Sequence, residues 1–155
     1  MLLRIAMVLL LLQIGSVHAS DKAEIGTVLD DLHRYAANAN MKAYFSLYNE
    51  DAVFIGTDAS ETWTLEDFKQ YASPVFSSGK GWTYTPVERQ ITVAKSAQTA
   101  WFVEMLHSET YGTTRGTGVL VKSEDQWKIA QYHLTIPIPN AIARDVTSTI
   151  KAMDN

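Results

Sequence analysis

The stretch that decides the fold lies near the end of the chain, at residues 127–135, and reads Trp-Lys-Ile-Ala-Gln-Tyr-His-Leu-Thr. It is rich in strand-favouring residues and alternates in character, which predicts a β-strand. Successive strand side chains point to opposite faces, so we expect Trp127 and His133 on one face and Tyr132 and Leu134 on the other. The sequence thus predicts a strand with a core anchor at its Trp end and an imidazole near a cavity at its His end.

Three further segments upstream show the same period of two, at residues 82–94, 99–109 and 113–122. Pro86 predicts that the first of them is an edge strand or contains a bulge. Gly116 and Gly118 are two residues apart on one strand face, which favours strong curvature or a close backbone approach. These segments and residues 127–135 therefore predict a bent antiparallel meander.

The earlier part of the chain has a helical period. Apolar residues form one stripe over residues 20–39, and Asn40 is placed to cap a second, short helix. Residues 51–56 predict a short strand, and Thr64 with Asp67 resembles a capping box that opens a third helix. Helices before a meander predict an α+β fold, in which a curved antiparallel sheet of four long strands plus a short one wraps on N-terminal helices as a cone with an internal pocket.

The first 19 residues resemble a signal peptide. Arg4 precedes an apolar run, and Val17 and Ala19 are small residues at the positions that signal peptidase reads. The run is shorter than the roughly 20 residues of a membrane span. We expect cleavage after Ala19, a single domain over residues 20–155 with a helix or tail at 138–155, a periplasmic or secreted location and no membrane contact after cleavage. An uncleaved anchor is the alternative.

Charge and composition exclude several classes of function. Removing residues 1–19 removes one basic residue from 13, so 12 basic against 17 acidic residues leave a net charge of −5. Nucleic-acid binding needs a basic face, and none is predicted. The chain has no Cys, so an exported domain must be stabilised by its core. His107 and Glu109 alone do not complete a metal site, and no phosphate-binding loop is present, so we expect no metal and no cofactor.

Several short motifs are spread along the chain. They are Phe-Ile-Gly-Thr-Asp at 54–58 with Glu61 and Trp63, Gly-Trp at 81–82, Trp-Phe at 101–102 with Glu104, Arg-Gly-Thr-Gly-Val at 115–119, and residues 127–133. Together they resemble the SnoaL-like branch of the nuclear-transport-factor-2-like superfamily. The resemblance implies an α+β cone with a cavity and, in many members, dimerisation through the outer sheet face. Members include isomerases, cyclases, dehydratases and assembly domains, so it does not select one activity.

Three polar residues are the main candidates for chemistry. The imidazole of His133 suits general acid or base catalysis, although a structural hydrogen bond is the alternative. Glu104 alternates with Phe102 and Leu106, so its carboxylate is expected to point inward and to need a partner. Arg115 is the expected partner, either in a structural ion pair or in a site where it binds a ligand carboxylate.

Asp58 is a further catalytic candidate, but its position in Gly-Thr-Asp is typical of an ordinary turn. A pocket walled by aromatic side chains is the usual form of a small-molecule site. The aromatic residues expected to line the core or the pocket and to bind ligand are Tyr48, Trp63, Trp82 and Trp101.

Three functions are compatible with the sequence. The first is an exported domain that binds a small molecule, with no specific activity assigned. The second is a cofactor-free isomerase, lyase or hydrolase that uses His133 with Glu104 or Asp58. The third is a scaffold without ligand, which dimerises through the strand face of Ala130, Tyr132 and Leu134; a homodimer is expected in any case.

Overall fold

The structure is a computed structural model that describes residues 2–153, with side chains described for residues 19–153. The predicted signal peptide lies almost entirely outside the described side chains and stays a prediction. Among the described residues, no helix is long and apolar enough to cross a membrane. In chain order the elements are α1 (Leu2–Ala37), α2 (Met41–Ser46), β1 (Tyr48–Ile55), β2 (Thr62–Thr64), α3 (Leu65–Ser77), β3 (Thr85–Val93), β4 (Thr99–Ser108), β5 (Gly112–Ser123), β6 (Gln126–Thr135) and α4 (Ala143–Met153).

The strands form one curved, unclosed sheet in the order β2-β1-β6-β5-β4-β3. The predicted antiparallel meander is β3 to β6, and β3 is an edge strand whose register shifts between Pro86 and Glu88, as Pro86 predicts. The pairing of β1 is different from the prediction, because β1 runs parallel to β6. Parallel neighbours need a long crossover, and here the connection contains α3 and most of the meander. The α+β prediction is confirmed, with β2 as an additional short strand.

Helices α1, α2 and α3 pack on the concave face of the sheet. The buried stripe of α1 contains Ile25, Leu29, Leu32 and Ala36. Asn40 caps α2 as predicted, because its side chain accepts a hydrogen bond of 3.2 Å from the backbone N–H of Ala43.

The capping box that opens α3 is also confirmed. Thr64 Oγ1 accepts from the N–H of Asp67 at 3.2 Å and donates to Asp67 Oδ2 at 2.7 Å. The terminal segment forms helix α4, which buries none of its described side chains. The packed part of the domain therefore ends with β6.

The register of β6 against β5 contains one extra residue. Val119 lies opposite Gln131, whereas the next residue, Leu120, lies opposite Ile129. Ala130 is thus unpaired in this register and forms a β-bulge. A bulge of one residue reverses which side chains face the core beyond it.

The bulge changes which side chains of residues 127–135 face the core. Trp127 faces the core, as predicted, with 3% of its surface exposed. Beyond the bulge, however, Tyr132 and Leu134 face the core, with 4% and 8% exposed. The prediction that His133 shares the face of Trp127 is wrong, and so is the prediction that Tyr132 and Leu134 lie on the outer face. Both assumed uninterrupted alternation.

The anchoring role of Trp127 depends on a buried carboxylate of α1, that of Asp21. The indole Nε1 donates to Asp21 Oδ1 at 3.1 Å, and Lys122 Nζ donates to the same oxygen at 3.0 Å. Asp21 is only 2% exposed. Since a buried carboxylate requires partners, these two bonds fix α1 against β5 and β6.

Candidate functional site

A cavity of about 620 Å³ lies between the helices and the concave face of the sheet. This volume is in the range of small-molecule sites. The inner wall is apolar and mostly aromatic, and it is formed by Leu32, Ala36, Tyr44, Phe54, Trp63, Phe68, Trp82, Tyr132 and Leu134. The remaining lining residues include Thr57, Glu61, Tyr71, Thr83, Tyr84, Ser108, Glu109, Thr110 and Tyr111.

Four rings stack nearly parallel along one side of the cavity, in the order Trp63, Phe68, Phe54 and Tyr132. Successive interplanar angles are 5°, 15° and 10°, and the closest centroids, those of Phe68 and Phe54, are 3.8 Å apart. The stack begins at Trp63 on the short strand β2. It ends at Tyr132, whose hydroxyl reaches the polar floor of the cavity.

Glu104 lies behind that floor and does not itself line the cavity. It is 1% exposed and points inward, as its alternation with Phe102 and Leu106 predicts. Its Oε1 accepts from the Tyr132 hydroxyl at 3.0 Å and lies 2.8 Å from His33 Nε2. Its Oε2 accepts from Arg89 Nε at 2.8 Å. The carboxylate therefore has the partners that a buried charge requires, one each from α1, β3 and β6.

Arg115 is not the partner of Glu104, contrary to the sequence-based expectation. In the register of β4 and β5, Arg115 lies opposite Met105 and is exposed on the outer face, while Gly116 lies opposite Glu104. A difference of one residue in register moves a side chain to the other face. The ion pair comes instead from Arg89, directly opposite Glu104 on β3.

Two features hold this cluster in position. Arg89 Nη1 also donates to Asp30 Oδ1 at 2.7 Å and to the Gly26 carbonyl at 3.2 Å, which joins β3 to α1. At Gly116, an added Cβ would collide with the Tyr132 hydroxyl and lie 3.0 Å from Glu104 Oε1. The glycine therefore provides the space in which Tyr132 and Glu104 meet.

Electrostatics determine the protonation state of two members of the cluster. Burial raises the pKa of Glu104, but its interactions with His33 and Arg89 outweigh that effect, so the pKa is below its ordinary value. The pKa of Tyr132 is raised far above its ordinary value, first by burial and then by the negative charge of Glu104. Near neutral pH, Glu104 is thus a carboxylate that only accepts hydrogen bonds, and Tyr132 is a phenol that donates.

His33 is the residue of this cluster best placed to act on a ligand. It lines the cavity and is 8% exposed. Because an ionised Glu104 can only accept, Nε2 of His33 carries the proton in their hydrogen bond, and in a neutral ring Nδ1 is then an acceptor. Within the described part of the chain, no hydrogen bond engages Nδ1. The arrangement is an imidazole oriented by a buried carboxylate, a pattern suited to proton transfer.

His33 is not among the residues predicted from the sequence, although its position in the helical pattern of α1 marks it as inward-facing. His33 is four residues after Leu29 and eight after Ile25, which places it on the buried stripe of α1. A titratable residue within an apolar stripe must find a partner, and this one finds Glu104.

None of the three catalytic candidates predicted from the sequence, Glu104 included, lines the cavity. His133 is half-buried on the outer face, opposite Thr117 on β5 and Ile55 on β1. Asp58 is exposed in the turn after β1, where its Oδ1 accepts from the Ser60 hydroxyl and from the Ser60 backbone N–H at 2.9 Å. These two bonds lower the pKa of Asp58. The geometry of Asp58 is that of an ordinary turn residue.

Two of the four aromatic candidates line the cavity and two do not. Trp63 and Trp82 line the cavity. Tyr48 is buried outside the lining, with its hydroxyl 3.0 Å from that of Tyr44. Trp101 is on the outer face and 50% exposed, because it alternates with the inward-facing Phe102 and Glu104. In the described residues, no three His, Cys, Asp or Glu side chains are grouped so that they could hold a metal ion.

Replacing Glu104 by Gln should lower the free energy of unfolding at pH 7 by about 3–5 kcal/mol, since it removes the charge from a buried ion pair. The pKa of Glu104 is lower in the folded state, so its contribution is complete above the unfolded-state pKa of about 4.3 and is lost as pH falls through the folded-state pKa. Urea unfolding at several pH values should therefore show the difference between wild type and variant shrinking below pH ~4. The control is Glu88→Gln, at an exposed position of β3. If the difference in free energy of unfolding between wild type and Glu104→Gln stayed constant at acidic pH, this account would be contradicted.

Comparison with known proteins agrees with the architecture. The model of the SnoaL-like domain family matches residues 25–139. No curated protein sequence matches significantly.

Solved structures of the same fold are found at low sequence identity. An NTF2-like protein of unknown function from Pseudomonas putida KT2440 is 12% identical, with 79% of this chain and 90% of that chain covered and a TM-score of 0.67. A candidate dehydratase of the NTF2-like family from Streptomyces avermitilis is 10% identical, with 78% and 99% covered and a TM-score of 0.67. A candidate ketosteroid isomerase from Shewanella frigidimarina NCIMB 400 is 23% identical, with 70% and 92% covered and a TM-score of 0.57.

At these identities the structural matches show the fold alone, which is the NTF2-like α+β cone. The family match spans the packed elements from the buried stripe of α1 to the segment after β6. The chain belongs to the SnoaL-like domain family.

Proposed function

We propose that this protein binds a small, largely apolar organic molecule in its aromatic cavity and transfers a proton on it through His33. The observation that carries the proposal is the hydrogen bond of 2.8 Å between His33, which lines that cavity, and the buried Glu104 behind it. Glu104 orients the imidazole, and Arg89 and Tyr132 hold Glu104. His33 takes the place that the sequence analysis gave to His133.

The chemistry that fits is an isomerisation or an elimination. In either reaction, Nδ1 of His33 would remove a proton from a carbon made acidic by a neighbouring carbonyl. In an isomerisation the protonated imidazole returns that proton to another carbon of the same molecule. In an elimination it delivers the proton to a departing hydroxyl, which leaves as water. The related folds of a candidate dehydratase and a candidate ketosteroid isomerase are compatible with both.

His33→Ala should abolish proton transfer while leaving the cavity able to bind. We would incubate the protein in D₂O with a panel of small aromatic ketones and follow deuterium uptake next to the carbonyl by NMR. A loss of about 100-fold or more is expected, the usual contribution of a general base. Binding of the neutral dye N-phenyl-1-naphthylamine, read by fluorescence, shows whether the cavity of the variant is intact.

His133→Ala is the matched control, because it removes the same side chain from the outer face of the sheet. It should leave both exchange and dye binding unchanged. Equal exchange in wild type and His33→Ala would refute the role of His33. Dye binding without exchange by the wild type would favour the first of the three functions compatible with the sequence, a domain that binds a small molecule without chemistry.

Export is part of the proposal. Asp21, two positions after the expected cleavage site, is buried, so the packed domain includes residues directly after that site. Expression of the full chain in a Gram-negative host should yield a periplasmic protein whose intact mass corresponds to residues 20–155. A cytoplasmic protein that retains residues 1–19 would contradict cleavage.

We also propose a homodimer, through a different surface from the one first expected. Tyr132 and Leu134 are buried, whereas Trp101 is half-exposed on the outer face of β4, beside Val103 and Met105 on the same face. An exposed apolar patch of this kind is typical of an interface. Trp101→Arg should convert a dimer into a monomer by light scattering, with Lys128→Arg as a control on β6. An unchanged mass for Trp101→Arg would place the interface elsewhere.

A further inference from the structure

A carboxylate is fixed in the cavity wall next to the aromatic stack. Glu61 is half-buried and lines the cavity beside Trp63. Its Oε2 accepts from the backbone N–H of Asp58 at 3.1 Å. The carboxylate lies over Gly56, where an added Cβ would collide with it. The turn between β1 and β2 thus holds this negative charge in one place.

The other charges around the cavity do not offset the negative charge of Glu61. Glu109 also belongs to the lining, but its side chain is 96% exposed and lies 3.4 Å from His107, so it contributes little. None of the lining residues in the described part of the chain is Lys or Arg, and the lining imidazole of His33 is neutral when it acts as a base. Behind the floor, Arg89 is engaged by both Glu104 and Asp30 and does not line the cavity. Charges act more strongly at a low-dielectric, partly enclosed surface than in water. The cavity therefore has a negative potential.

The aromatic rings that line the cavity also favour a cationic ligand. Tyr71 stacks on Trp63 with centroids 4.5 Å apart, and Trp82 and Tyr84 also line the cavity. Aromatic rings carry negative charge on their faces and attract alkylammonium groups. Carboxylate and rings together are complementary to a cation with an apolar body.

We propose that the ligand of this cavity is an organic cation, a protonated amine or a quaternary ammonium attached to an apolar group. This inference rests on the proposed function, since it names the class of molecule bound at the same site. It also replaces the carboxylate ligand expected from Arg115, which lies on the outer face of the sheet. Glu61 is the residue that determines the charge preference.

The test compares three probes that share a phenyl ring and differ in the charge of a tetrahedral head group. They are phenyltrimethylammonium, its neutral isostere tert-butylbenzene, and the anion benzenesulfonate. Binding to the full mature protein is measured by tryptophan fluorescence, to which Trp63 and Trp82 of the cavity respond. We expect affinity to decrease in the order cation, neutral probe, anion.

Glu61→Gln should weaken binding of phenyltrimethylammonium about tenfold, the effect of losing one partly screened charge at short range. It should leave the affinity for tert-butylbenzene unchanged. Gln keeps an acceptor for the N–H of Asp58, so the turn is preserved. Glu50→Gln, an exposed position on β1 outside the cavity lining, makes the same change in net charge and should alter neither affinity.

The outcomes separate this inference from the function on which it rests. Tighter binding of benzenesulfonate or tert-butylbenzene than of phenyltrimethylammonium would overturn the inference and leave the binding function standing. The inference would also be overturned if Glu61→Gln, like Glu50→Gln, left the affinity for phenyltrimethylammonium unchanged. If none of the probes binds at millimolar concentration, the inference and the proposed binding function fail together.

Discussion

The carboxylate of Glu104 is the constraint on which the rest of the molecule depends. Removing a charge from water is costly, so a buried carboxylate must be surrounded by donors. Here the donors come from three elements that are far apart in sequence: His33 on α1, Arg89 on β3 and Tyr132 on β6. The hydrogen bonds to this one carboxylate therefore fix the position of the first helix relative to both the edge and the centre of the sheet.

The same cluster joins the stability of the domain to its proposed chemistry. The stack of rings that fills the core ends at Tyr132, and the hydroxyl of Tyr132 is a donor to Glu104. The orientation of His33 in turn depends on Glu104. An imidazole positioned in this way is supported by the whole core rather than by a mobile loop, which is what proton transfer in a fixed geometry requires.

Much of the fold could be predicted from sequence, because the relevant signals are local. The stripe of α1, the cap at Asn40, the capping box at Thr64 and the edge position of Pro86 each depend on neighbouring residues, and the structure contains them all. The site was less predictable, because it depends on register. Nothing in the alternation of residues 127–135 marks the bulge at Ala130, and the pairing of Glu104 with Arg89 rather than Arg115 follows from which strand presents which face. His33 is the exception, since its place on an apolar helical stripe could have been recognised.

The bulge at Ala130 has a consequence for how such a domain can change. Trp127 and Tyr132 face the same interior although they are an odd number of residues apart, so the core face and the outer face are linked through one unpaired residue. Loss of that residue by deletion would exchange the two sets of side chains beyond it, bringing His133 inside and Tyr132 outside. The proposed interior ligand site and the proposed outer contact surface are therefore not independent targets of mutation. A change of one residue in the length of this strand would alter both at once.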